Sequence, residues 1–247
     1  MDTATNETVQ QQRAFDRRLF AIAAVLFPLI ILFGFGRTYY LRGFFDFPPV
    51  GVWLVHLHAI LMTAWVLLFI VQVRLISTRR VRLHQRLGFT AIGLAVLIVI
   101  TGFFTAVRAA KFGPSAFQAP LPRLPFLLVP MTDLLMFTIL FSAAIYYRKK
   151  PAEHKRFMLL TAINFLPPAL ARSPIESLRA FGPLWFFGLP TAIALVVLFV
   201  DRKRNGKFNR AMIAGTILMI TSFVARLALM GTETWLSIAK WLTSWAA

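Results

Sequence analysis

The chain has no cysteine among its 247 residues. That absence removes disulfides, thiolate metal sites and thioether-attached haem together. Acidic residues are almost as scarce: nine Asp and Glu stand against 27 Lys and Arg, for a net charge of +18. Eight of the nine acids lie in the termini or between apolar runs, and Asp133 alone stands inside one. A carboxylate in hydrocarbon costs about 2.5–3.5 kcal/mol on insertion scales, so Asp133 is expected to face a partner or a water-filled cavity. A Walker loop, a Gly-rich dinucleotide turn and a His-Glu-x-x-His run are missing. Residues 211–230 contain no lysine, which excludes a retinal Schiff base there.

What is abundant is apolar sequence, 58% of residues, with a mean hydropathy of +0.71. It falls in runs of the length that crosses a bilayer, about 20 residues each. The pattern predicts an all-α bundle of seven transmembrane helices at 19–36, 50–73, 88–107, 125–147, 156–171, 181–200 and 211–230. The fifth is short and holds Pro167-Pro168, which should kink or end it. A strongly basic soluble protein would suggest nucleic acid. Here the charge sits in short clusters between apolar runs, so it reads as topology signal and no nucleic-acid partner is expected. The N-terminal tail and the loops 74–88, 148–156 and 201–210 hold 18 of the 27 basic residues. Seven spans put all four segments on one side, which the positive-inside rule makes the cytoplasm, with the C-terminus outside.

The chain divides into a polar tail (1–18), a transmembrane domain (19–230) and a C-terminal segment (231–247). The last carries Trp235, Ile238, Leu242 and Trp245 at helical spacing, the pattern of an amphipathic helix lying on the outer membrane surface. The first apolar run ends in Phe33-Gly34-Phe35-Gly36-Arg37, without a small-residue cleavage pattern, and reads as a retained helix. Membrane lipids are the expected surroundings, in a bacterial-type inner membrane.

Only four histidines are present: His56, His58, His84 and His154. His56 and His58 point to opposite sides of one helix and do not chelate one ion together. His84 and His154 open two inward-to-outward helices in matching contexts, Leu83-His84-Gln85-Arg86 and Glu153-His154-Lys155-Arg156, as in a duplicated hairpin. Brought together they would ligate a haem iron or a metal; left apart they are headgroup-level helix starts. His58 and Asp133 each lie about eight residues into a span, at one expected depth of about 12 Å. Arg226 stands in the outer half of the last span and must snorkel or pair with an acid, for which Asp133 is the candidate. With Arg172 beyond the Pro167-Pro168 kink, these residues outline an outer cavity of His58, Asp133, Arg172 and Arg226. Asn164 and Gln72 would extend a polar track inward.

Leu83-His84-Gln85-Arg86-Leu87-Gly88, His154-Lys155-Arg156-Phe157-Met158-Leu159-Leu160 and His56-Leu57-His58-Ala59 leading to Met62-Thr63-Ala64-Trp65 resemble motifs of uncharacterised bacterial multi-pass membrane proteins, over about residues 36–172. Part of this stretch is similar to four-helix membrane proteins of haem-copper oxidase assembly, which also place His-Lys-Arg at a helix start. The resemblance implies haem or copper delivery, with an oxidase as membrane partner. Two functions stay open on the residues. One is a haem- or metal-binding protein of electron transfer or oxidase assembly, with His58, His84 and His154 as candidate ligands. The alternative is a small-solute transporter or receptor-like binder built on the outer cavity. A metal-dependent intramembrane hydrolase is a third reading, but only His58 and Asp133 fall at one level, and such a site needs three converging ligands.

Overall fold

A computed structural model describes residues 2–113 and 122–245. The helices in order are α1 (Asp2–Phe35), α2 (Trp53–Ser77), α3 (Val81–Phe112), α4 (Arg123–Phe126), α5 (Leu128–Tyr146), α6 (Pro151–Asn164), α7 (Leu166–Ala171), α8 (Glu176–Arg179), α9 (Leu189–Asn205), α10 (Arg210–Leu229) and α11 (Glu233–Ser244). No strand occurs among the described residues. Six helical segments are long and apolar enough to cross a bilayer: 14–40, 53–77, 81–112, 123–149, 184–205 and 210–229. The chain is thus of the multi-pass membrane type. Large apolar side chains such as Ile22, Leu29, Ile60, Phe89, Val96, Val196 and Val224 point outward from these segments, as a surface bathed in lipid requires.

The expected fifth span, 156–171, is not among the six: it is divided into α6, 14 residues long, and α7, 6 residues long, each too short to cross alone, and α6 is enclosed by other helices. α6 packs against α5, α10, α9 and α1. From Arg156 to Asn164 every residue except Met158 is buried. A helix walled off by other helices needs no lipid-facing stripe, and Arg156, Thr161 and Asn164 lower its hydropathy without meeting hydrocarbon. After Asn164 the helix breaks. Pro167 and Pro168 have no N–H to continue the ladder, so Phe165 closes α6 with a tighter bond to Ala162 O at 3.2 Å and α7 starts afresh. α7 then meets the far part of α1 at Gly34. A Cβ on Gly34 would lie 2.1 Å from Ala169 O, so only glycine lets the two backbones touch.

Several helices exceed their expected spans. α1 runs without interruption from the polar tail into the apolar run. α3 starts at Val81, so His84 belongs to its first turn and not to a loop. The expected C-terminal helix is α11. Thr232 caps it, its hydroxyl accepting from Trp235 N at 3.3 Å, and Trp235 Nε1 donates to Leu124 O at 3.2 Å, tying it to α4. Of the outer loop 108–124, residues 114–121 lie outside the described residues, as do Ala246 and Ala247.

The four basic segments converge on one end of the bundle. Asp16 of α1 bonds Lys155 and Arg156 of α6, and Arg156 bonds Asp201 of α9. Gln12 donates to Asn205, and the His84 ring of α3 lies beside that of His154.

Candidate functional site

The basic end holds the histidine pair. Pro151 opens α6, and His154 falls in its first turn. Its Nδ1 lies 2.8 Å from the carbonyl of Ala144 in α5. A carbonyl only accepts, so Nδ1 carries a proton, and Nε2 is the nitrogen that would be the acceptor of a neutral ring. The two ring centroids are 6.3 Å apart with planes at 79°. His84 Nδ1 is buried and has no hydrogen-bond partner. Two imidazoles brought side by side in this way are donors that would hold a metal ion. A carbonyl on the remote nitrogen, as Ala144 supplies to His154, is the usual second contact of a metal-bound imidazole.

Beside this pair Lys155 and Arg156 are already matched with acids. Arg156, 2% exposed, bonds Asp16 at 2.8 Å and also Asp201, while Lys155 bonds Asp16. Asn205 Nδ2 adds a bond to Asp201 Oδ1 at 2.9 Å. Sequence reasoning missed this cluster. Asp201 was expected in a loop, yet α9 continues to Asn205 and buries Asp201 completely. The usable signal was its place directly after the apolar run Leu195–Val200. Carried one further turn of helix, the inward face reaches it.

The other half of the bundle holds Asp133 on α5 and Arg226 on α10, joined by Arg226 Nη2 to Asp133 Oδ1 at 2.7 Å. Asn164 Nδ2 donates to the Asp133 carbonyl at 3.0 Å, and the Arg226 guanidinium lies 4.6 Å over the Phe187 ring. Arg226 Nε is buried and unpartnered. Next to the pair is a cavity of about 20 Å³, enough for one water molecule, lined among others by Asn164, Pro167, Thr191 and Ser222.

His58 and Arg172 do not line this cavity. The Thr101 hydroxyl donates to Leu97 O at 2.7 Å, so it accepts from His58 Nδ1 at 2.9 Å. His58 is therefore turned to α3, although a Cβ on Gly102 of that helix would touch both His58 and Leu134, which places it level with Asp133. Arg172 donates to Pro168 O at 2.9 Å and lies 4.8 Å over the Phe35 ring. His56 Nε2 donates to Val50 O at 2.9 Å, leaving Nδ1 to accept from Tyr39 OH at 3.0 Å. Gln72 Oε1 is buried without a partner. Of the six candidate residues the structure thus joins His84 with His154 and Asp133 with Arg226, and leaves His58 and Arg172 outside both groups. Among the described residues no three His, Asp or Glu side chains gather as metal ligands.

No family model, curated protein or solved structure matches this chain.

Proposed function

We propose that the chain crosses a bacterial-type inner membrane seven times, N-terminus cytoplasmic, and holds a haem iron or a copper ion between His84 and His154. The seventh crossing is α6 with α7. Its support is that Arg156 meets Asp16 and Asp201 at the basic end while Ala169 abuts Gly34 far along α1. The observation that carries the metal reading is the imidazole pair, 6.3 Å between centroids, with Nδ1 of His154 already committed to Ala144 O.

Two imidazoles fall short of the four ligands of a structural zinc site, whereas imidazole is a donor that haem iron and copper would both accept from His84 and His154. A bound haem iron or copper supplies one-electron chemistry at the basic end. The chain's own part is to hold and orient: Ala144 O fixes the tautomer of His154, and Asp16 and Asp201 cancel the charge of Lys155 and Arg156, which would otherwise repel a cation. The likeness to oxidase-assembly membrane proteins makes an oxidase the expected partner.

An absorbance spectrum and elemental analysis of the purified protein test this. The expected result is a Soret band, or copper near one per chain, lost in His84→Ala while the protein still inserts. A wild-type protein without haem, iron or copper after expression with both metals supplied would sink the proposal.

A further inference from the structure

The Asp133–Arg226 pair plays no part in that reading, and it has a donor left over. Arg226 presents five N–H groups in a fixed fork. One arm holds Asp133 Oδ1, the face is covered by Phe187, and the Nε–H is buried with nothing to bond. The cavity that Arg226 lines offers water-sized space and the side chains of Thr191, Ser222 and Asn164. Its wall also contains irregular helix. Pro167 belongs to the α6–α7 break, Phe187 to a π-helical turn at Leu184–Gly188, and Pro190 to the first turn of α9. Irregular backbone at membrane depth survives where it is enclosed by protein or lines a cavity, and π turns are frequent at functional sites.

We propose that this cavity is a proton-coupled site for a small monovalent anion of halide size, with Arg226 as the partner of the anion and Asp133 as the partner of the proton. Charge decides the coupling. With Asp133 ionised, an anion beside Arg226 faces a carboxylate in a poorly screened interior, and water fills the space instead. When Asp133 gains a proton from the aqueous phase, Arg226 is left as a lone buried cation, which is strongly unfavourable. An anion entering with that proton restores neutrality. The empty site holds Arg⁺ and Asp⁻; the loaded site holds Arg⁺, neutral Asp and the anion. No covalent bond other than the carboxyl O–H forms or breaks. Among the described residues no other charged side chain lines the cavity. On the elements around it, Arg172 sits at the end of α7 over Phe35, and Arg156 and Asp201 lie at the other end of α6 and α9. His58 of the neighbouring α2 is turned to Thr101.

The test uses the full chain in lipid nanodiscs. Sodium chloride replaces sodium gluconate at constant ionic strength, tryptophan fluorescence reads binding, and a pH dye in weak buffer reads proton uptake. The expected result is a saturable chloride response with about one proton taken up per chloride. One linked proton lowers the apparent affinity about tenfold per pH unit of rise. Arg226→Gln should lose the response and the uptake. Asp133→Asn should keep the response, without uptake and without pH dependence. A wild-type protein with no saturable response, or with chloride binding and no proton uptake, overturns the proposal. Should either variant fail to insert, the proton-to-chloride ratio and the pH slope of the wild type decide alone.

Discussion

Two charged clusters are buried in this bundle, one joining α1, α6 and α9 and the other joining α5 and α10, and they are built on different plans. At the basic end Arg156 meets two carboxylates, and these in turn hold Lys155 and Asn205. In the other half Asp133 has one charged partner, and a cavity adjoins both. Arg156 and Arg226 each keep a buried Nε without a partner, so the number of carboxylates and the cavity are what separate the two plans. The first ties α1, α6 and α9 together. The second leaves room for something that is not protein. Buried charge therefore marks two different things in one molecule: a clamp between helices, and a pair beside an open space.

Breaking the clamp should give the largest effect. Arg156→Leu removes a cation that is 2% exposed and strands Asp201, which is fully buried. Removing one member of a buried pair costs about 3–5 kcal/mol, and with two carboxylates left behind the upper part of that range is expected. A thermal melt in detergent measures it. A drop no larger than that of a surface Arg→Leu change such as Arg82→Leu would mean that the contacts with Asp16 and Asp201 do not hold the helices.

The second cluster should respond less, because its cavity lets water reach the stranded group. Asp133→Asn leaves Arg226 charged and buried, with an expected cost in the lower part of the same about 3–5 kcal/mol range. Asp133→Asn with Arg226→Gln removes both charges and should cost less than the single change. If the double variant melts below the single one, the pair is not coupled as its 2.7 Å bond indicates.

The two clusters were not equally legible in the sequence. Asp133 and Arg226 were, because one acid and one base in apolar spans have few other groups to satisfy them. The His84–His154 pairing was visible as two similar loops in register. Arg156 and Asp201 were hidden among the basic residues beside them, since composition does not tell which member of Asp201-Arg202-Lys203-Arg204 points inward. The six clearly apolar helices stand out because hydropathy registers contact with lipid. α6 does not stand out, because the break after Asn164 leaves it 14 residues long and its neighbours, not its own side chains, exclude lipid from it. The facing of His58 was unreadable, because depth follows from counting residues whereas rotation about the helix axis follows from packing.

Close packing gives a comparison of intermediate size, at one helix contact in each half. A Cβ on Gly34 would meet the backbone oxygen of Ala169 at 2.1 Å, whereas a Cβ on Gly215 would meet the Leu160 side chain at 2.2 Å. The distances are alike but the obstacles are not. A leucine methyl can turn aside, and a helix carbonyl cannot move without its helix. Overpacking costs about 1–3 kcal/mol, so Gly34→Ala should fall near the top of that range and Gly215→Ala near the bottom. Equal losses in a melting series would show that α7 shifts on α1 as easily as a side chain rotates.

The smallest effect is expected at His58, which belongs to neither cluster. Its Nδ1 donates to Thr101 at 2.9 Å, and Thr101 passes its own proton to Leu97 O. Thr101→Val keeps the shape and removes only the acceptor. Interhelical hydrogen bonds within membranes are worth about 0.6 kcal/mol on average, because each partner also finds alternatives when the helices separate. The variant should therefore melt within about 1 kcal/mol of the wild type, with the metal content and the chloride response of the preceding tests unchanged. A lost Soret band or copper signal would return His58 to the ligand set of the metal, and a lost chloride response would return it to the anion cavity. Either result would show that the partition of polar residues into two separate groups is wrong at this position.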